Sequence, residues 1–302
     1  MRPLRVAVLL NAAAGTVVSQ DESKLRDTLV AAFGRHGMSA IVQSLPGPDL
    51  HGAAERSLRR VKAQELDVIV VGGGDGSIRS VASVLAGSGV PLGILPLGTR
   101  NHFARDFGIP TDVDQAVGLM AAGHVRSVDV GEVNGQTFIN NASIGVYPYL
   151  VLERERRRRR DGLSKWTAMI VAGLRVLRHL PFRKLSVCAE GWAEPCRSPC
   201  VLVGNNAYRV VVPALGRRER LDEGALFLYV AKARGRLGLL WLAARTILGR
   251  LNRSDELRIL KIGTAEIRSR QRRVVVALDG EVEVLRPPLL FRTRPGALQV
   301  FG

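Results

Sequence analysis

Residues Val68 to Leu85 read VIVVGGGDGSIRSVASVL: an apolar run, three glycines, an aspartate, a glycine and a serine, then a helical pattern. Few backbones accept this order. An unbroken β-branched run fits a strand covered on both faces, which belongs to a parallel sheet. Consecutive glycines let the backbone approach a ligand closely and admit positive φ. The helix that follows exposes amides at its N-terminus, where an anion is favoured. A carboxylate in that turn, Asp75, repels phosphate unless a cation or a proton transfer lies between them. A Mg²⁺-nucleotide would resolve the conflict. So would a plain strand–helix turn with Asp75 as a helix cap, and this stretch alone leaves both readings standing.

The surrounding pattern supports an α/β unit. Strands are expected at Leu4–Leu10, Ser39–Gln43, Asp67–Val71 and Pro91–Leu95, with helices at Glu22–His36, His51–Gln64 and Ser77–Ala86. Each strand ends in a loop: NAAAG, SLPGPD, GGGDGS and PLGTRN. In open α/β sheets ligands sit beyond the carboxyl ends of the strands, so four loops point at one place.

From about Asp129 strand patterns dominate: Val128–Val133, Gln136–Ile139, Leu185–Ala189, Cys200–Gly204, Ala225–Ala231, Ala265–Ser269, Val274–Ala277 and Glu281–Leu285. Their spacing suggests an antiparallel β-rich domain with two helical insertions, Val151–Leu180 and Gly235–Leu251. The expected domains are 1–130, open to being joined by 291–302, and 131–290.

Charge separates the halves. Of 44 basic and 27 acidic residues, giving a net +17, residues 1–130 hold 13 and 12, leaving 31 and 15 for 131–302. A surface for nucleic acid or anionic membrane is expected in the second half. Nucleic-acid recognition would need a platform of aromatics, and these are 5% and unclustered, so no nucleic-acid partner is expected. Cys188, Cys196 and Cys200 are odd in number without CxxC spacing, which reads as free thiols. The five histidines show no ligand spacing. MRPLRVAVLLNAAAG mimics a leader, but its apolar run of about six residues is short of the usual ~7–15 and reads as the first strand. Leu237–Ala244 is far below the ~18–20 residues of a spanning helix. A cytoplasmic location is expected.

The glycine motif matches no P-loop, since GxxxxGK[ST] is absent; NAAAG is no GxGxxG; and the protein-kinase set fails because HRD is absent, leaving the DFG at 106–108 without its partner motif. Six motifs do occur in order: NAAAG at 11–15, GGGDGS at 72–77, LGTRNHFARDFGIP at 97–110, DVGEVNG at 129–135, FINNASIGVYP at 138–148 and LDGE at 278–281. Together they resemble the diacylglycerol kinase catalytic-domain family, which includes bacterial lipid kinases and sphingosine kinases. The resemblance implies an N-terminal nucleotide domain, a C-terminal β-rich lipid-substrate domain, and an active site in the cleft between them. The implied activity is ATP- and Mg²⁺-dependent phosphorylation of diacylglycerol or a related lipid alcohol.

Residue by residue, the resemblance places Asn11 to Gly15 and Gly73, Gly74, Asp75, Gly76, Ser77, Ile78 and Arg79 on ATP. It adds Ser44, where the family usually has threonine, Thr99, and Asn101 as a helix-start residue. Asp129 would join Asp75 around catalytic Mg²⁺. Asp279 and Glu281 match the catalytic acids, with Glu281 as proton acceptor for the lipid hydroxyl. A strand-flanked DGE is equally an ordinary hairpin turn. Whether Asp75 or the DGE acids take the proton stays open.

Two departures stand out. His102 replaces the acid of the family's NDFAR. The structural Mg²⁺ turn reads RERLDEGAL here, with Glu223 at the carboxylate position, Arg220 and Ala225 at backbone positions, and Asp222 next door as a substitute. These departures motivate an alternative: a catalytically degenerate, nucleotide-binding membrane regulator. Five arginines, Arg156 to Arg160, precede Trp166 and an apolar helix; Trp241 lies among leucines in the second insertion. Such helices can lie at a membrane interface or pack in a core. Peripheral association with an anionic membrane is expected, with a homodimer left open.

Overall fold

A computed structural model describes residues 3–18, 21–161, 183–189, 192–198, 200–211, 214–231, 238 and 257–302. The chain divides into two compact units, Met1–Val130 with Pro295–Gly302, and Gly131–Arg294.

In the first unit β1 (Leu4–Asn11), β2 (Met38–Leu45), β3 (Val68–Gly73) and β4 (Leu92–Pro96) pair in the order β2-β1-β3-β4, all parallel. Every residue of β3 is buried, which is why its apolar run does not alternate. The helices are α1 (Gly15–Val18), α2 (Glu22–Arg35), α3 (Leu50–Lys62), α4 (Asp75–Leu85), α5 (His102–Phe107) and α6 (Val113–Ala121). The side chain of Asp21 caps α2 by accepting from Ser23 N, and Leu25, Leu29, Ala32 and Phe33 form the buried stripe of that helix. Residues 295–302 run parallel to β4, with Val300 opposite Leu92. Helix α5 follows Asn101, the residue expected at a helix start, whereas α6 was not expected; at nine residues it is short for a periodic signal.

β5 (Val125–Val133) leads into the second unit, followed by β6 (Gln136–Phe138), β7 (Asn141–Gly145) and α7 (Val146–Asp161). Then come β8 (Arg183–Ala189), β9 (Trp192–Ser198), β10 (Cys200–Asn205), β11 (Tyr208–Val211), β12 (Ala214–Arg218) and β13 (Leu226–Ala231). β14 (Leu257–Ile262), β15 (Thr264–Ser269), β16 (Val274–Leu278), β17 (Glu281–Leu285) and β18 (Leu289–Phe301) complete it. An antiparallel sheet of order β14-β13-β10-β7-β16-β17 supplies Ile144, Val201, Val203, Leu228 and Val276 to one core. β8, β15 and β18 supply Val187, Ile267 and Phe291, and Phe138 stands edge-on to Phe291 with ring centres 6.4 Å apart. The fold class is thus an α/β domain with a parallel sheet followed by a mainly antiparallel β-rich region.

The arginine run 156–160 belongs to α7, which begins five residues before the expected insertion. Trp166, the apolar stretch 168–177 and the second insertion with Trp241 lie outside the described residues. Cys188 and Cys200 are free thiols, and burial pushes Cys200 up to about 11. Among the described residues no helix is long and apolar enough to cross a membrane.

Candidate functional site

Three strand-end loops of the first unit converge. Asn11, at the end of β1, donates from Nδ2 to Ser77 Oγ in α4 at 2.8 Å, while its Oδ1 accepts from Ala13 N at 2.9 Å. The amides of Leu97 and Gly98, after β4, both donate to Gly73 O, at 3.1 and 3.2 Å. A Cβ on Gly98 would stand 2.9 Å from Gly74 N and would overlap the Gly74 Cα; one on Gly15 would stand 3.1 Å from Thr99 Oγ1. Asn101 holds the third loop: it takes the left-handed conformation at φ +46°, and its Nδ2 donates to Pro96 O and Gly98 O, both at 2.8 Å.

These contacts revise the role of the glycines. Gly72–Gly74 and Gly76 admit positive φ, and none of them adopts it. Gly74 is extended at φ −94°, ψ −173°. A Cβ on Gly72 would overlap the Leu10 side chain and one on Gly73 the Ser77 side chain, while one on Gly74 would stand 3.4 Å from the Gly98 Cα, so close packing within the junction accounts for the glycines.

Helix α4 starts directly from this junction. Its N-cap, Gly74, offers no side-chain bond, so the first-turn amides have no partner within the helix. That is an anion-binding geometry. The side chain of Ile78 is fully buried and its N–H donates to Gly74 O. Arg79 lies half-buried one residue further along α4, and Ser77 is buried against Asn11. Ser44 Oγ and Asn101 Oδ1 are buried polar atoms without a hydrogen-bond partner.

Asp75 does more than either reading foresaw. Its Oδ2 accepts from His102 N at 3.0 Å and its Oδ1 from Phe103 N at 2.8 Å. It is the first residue of α4 and the remote cap of α5, a carboxylate held by two helix N-termini. These two bonds use half of a carboxylate's acceptor capacity. The side chain of His102 turns to Arg105, whose Nη2 lies 2.9 Å from Nδ1. A guanidinium can only donate, so Nδ1 accepts and the ring proton sits on Nε2. Burial lowers the His102 pKa, outweighing the pull of Asp75 in the other direction. Asp129 is buried, and its Oδ1 accepts from Gly296 N at 2.8 Å, tying β5 to residues 295–302.

In the second unit Asp279 and Gly280 form the two-residue turn between β16 and β17, with φ +50° and +89° and Leu278 paired to Glu281. Asp279 Oδ2 accepts from Ile139 N at 2.8 Å, and Oδ1 from Asn140 N at 2.7 Å and Asn141 N at 3.0 Å. Asp279 therefore holds the turn against the segment between β6 and β7. Glu281 is exposed at the first position of β17.

Among the described residues no three His, Cys, Asp or Glu side chains gather as a metal site. Magnesium that travels with a nucleotide commonly takes one or two carboxylates, the phosphates and water, and Asp75 fits that role. The 220–225 turn fits a metal poorly. Arg220 Nε lies 3.1 Å from Asp222 Oδ1, and Glu223 Oε1 accepts from Ala207 N at 3.3 Å. The Arg220 side chain thus brings a positive charge where the resemblance asked only for a backbone position, and Ala225 O accepts from Asn206 N at 3.1 Å.

The diacylglycerol kinase catalytic domain family matches residues 5–133. A diacylglycerol kinase of Mycobacterium tuberculosis is 34% identical over 148 residues, 47% of this chain and 48% of that protein. One of Bacillus subtilis is 43% identical over 102 residues, 33% and 32% of the two chains. The chain thus spans about half the length of the first curated relative it matches, and less of the second. A solved structure of a diacylglycerol kinase from Bacillus anthracis superposes with a TM-score of 0.69 at 21% identity, covering 100% of this chain and 97% of that one; this likeness speaks for the fold. The three converging glycine loops fall inside the matched region, so residues 5–133 are similar to the diacylglycerol kinase catalytic domain.

Proposed function

We propose that the protein is a lipid kinase that transfers the γ-phosphate of ATP to a hydroxyl of diacylglycerol or a related lipid alcohol. The observation that carries this reading is the junction of three strand-end loops on the uncapped N-terminus of α4. Its amides would cradle phosphate, with Asn11, Ser77, Thr99 and the Gly73–Gly76 backbone around it. Mg²⁺ would be held by Asp75, with Asp129 as the second candidate carboxylate, and supplies charge neutralisation of the phosphates when bound. Glu281 is assigned to the hydroxyl proton, because it is exposed while the Asp279 carboxylate accepts from three backbone amides. His102, neutral and carrying its proton on Nε2, is a donor where the family has an acid, so it serves phosphate rather than metal.

The lipid stays in a bilayer, so the protein must come to it. The excess of basic residues after position 130, and the arginine run on α7, favour peripheral association with an anionic surface. The test is incubation of the purified protein with γ-labelled ATP and a panel of diacylglycerol, sphingoid bases, ceramide, phosphatidylglycerol and isoprenoid alcohols. Label in one alcohol names the substrate. Nucleotide binding with label in none would make the protein a regulator instead.

A further inference from the structure

Glu281 is only as well aimed as the turn that carries it, and that turn is held from below. The segment 139–141 presents three N–H groups to Asp279 on one side. On its other side lies Arg218, at the end of β12, which is 3% exposed. Arg218 Nη1 donates to Ile139 O at 2.7 Å and to Asn205 O at 3.2 Å, and Nη2 donates to Asn140 Oδ1 at 2.6 Å. Its guanidinium carbon lies 5.5 Å from the centre of the Tyr208 ring, whose hydroxyl accepts from Asn141 Nδ2 at 3.2 Å. Asn205 adds a second donor to Ile139 O at 3.1 Å.

One peptide group joins the two charges. The carbonyl of Ile139 and the N–H of Asn140 belong to the same peptide plane. Its oxygen accepts from the guanidinium at 2.7 Å, and its N–H donates to the Asp279 carboxylate at 2.7 Å. A cation on the oxygen polarises the plane and strengthens the bond made by the nitrogen. Lysine could not reproduce the arrangement, because Arg218 grips the backbone carbonyl and the Asn140 side chain with two nitrogens of one planar fork.

We propose that Arg218 is a positioning residue for the LDGE turn: through the Ile139–Asn140 peptide it fixes Asp279, and through Asp279 the direction of Glu281. This rests on the assignment of Glu281 to the hydroxyl proton, but its structural half can be read without turnover. Amide hydrogen exchange on the full chain compares wild type with Arg218→Met. Protection of the amides of residues 139–141 is expected to fall at least about tenfold, while β3 in the other unit keeps its protection. If the methionine variant does not fold, Arg218→Lys, which keeps the charge and one donor, is expected to show a smaller loss confined to the same amides. Unchanged protection at 139–141 in a folded variant would overturn the proposal, as would loss spread evenly over the second unit.

Activity supplies the second readout. Misplacement of a reacting group by about 1 Å costs on the order of 100-fold, so turnover of Arg218→Met is expected to fall roughly 10–100-fold with the KM for ATP unchanged. Combined with Asp279→Asn, the losses should be far less than additive, since both act through one linkage. Additive losses would overturn the linkage. A wild-type protein that transfers no phosphate would sink the kinase reading and leave the exchange result to decide the role of Arg218.

Discussion

Replacing Gly98 by alanine pushes a methyl group into backbone that has no room to give. The new Cβ would overlap Gly74 Cα, stand 2.9 Å from Gly74 N and 2.7 Å from Asn101 Oδ1. Gly74 is fixed as the N-cap of α4, and Asn101 is fixed by its bonds to Pro96 O and Gly98 O. The third loop must therefore lift away from the α4 N-terminus. Overpacking of this kind costs about 1–3 kcal/mol. At about 2–4 °C per kcal/mol, the unfolding midpoint should fall by roughly 2–12 °C. Because the parted loops are those assigned to phosphate, nucleotide affinity should also fall, by about tenfold for each 1.4 kcal/mol that reaches the site. Gly34→Ala is the control. No atom lies within 4 Å of its would-be Cβ, and it sits in α2, where alanine is favoured over glycine by about 0.5–1 kcal/mol. Calorimetry measures the midpoint and titration with ATP the affinity. A Gly98→Ala protein with unchanged midpoint and affinity would refute the close approach of the two loops.

Other perturbations follow from the same geometry. Asp75→Asn leaves one acceptor facing two helix amides, so it should lower stability by about 1–3 kcal/mol as well as abolish transfer; thermal unfolding and a label assay read the two effects separately. His102 has its pKa lowered below 6.5 by burial, so the unfolded chain takes up the proton first. Stability should be flat above pH 6.5 and fall as pH drops below it, and the difference between wild type and His102→Gln should shrink in acid; a parallel pair of profiles would contradict it. Replacing Arg156 to Arg160 by Ser should weaken binding to anionic vesicles, at about 1 kcal/mol per residue near the surface, and leave activity on lipid in neutral detergent unchanged. Wild-type vesicle binding should weaken with salt.

The first unit was readable because β1, β3 and β4 are largely buried and end in glycine loops, while β2 at the sheet edge alternates buried and exposed residues. The unbroken VIVV run could hardly be anything but a central strand. In the second unit β7 was missed, since NASIG carries asparagine and serine yet lies between two strands. β14 and β18 escaped for a related reason: LRILKI resembles a helix face, and Pro295 interrupts β18. Local sequence could mark Asp75 and Asp279 as carboxylates in turns. It could not show that their oxygens are met by amides 27 and about 140 residues away. Arg218 was invisible for another reason. In GRRER it looks like part of a solvated basic run, and only the fold buries one member of the run and leaves its neighbours outside.

The most direct test of the account is a paired measurement on wild type and Glu281→Gln: ATP affinity, and the rate at which γ-label enters the lipid alcohol identified by the panel. Glu281 is exposed and far along the chain from the residues assigned to nucleotide, so affinity and unfolding midpoint should match in the two proteins, while label transfer should be lost in the variant. Near-normal transfer by Glu281→Gln would contradict the assignment of the proton to this residue.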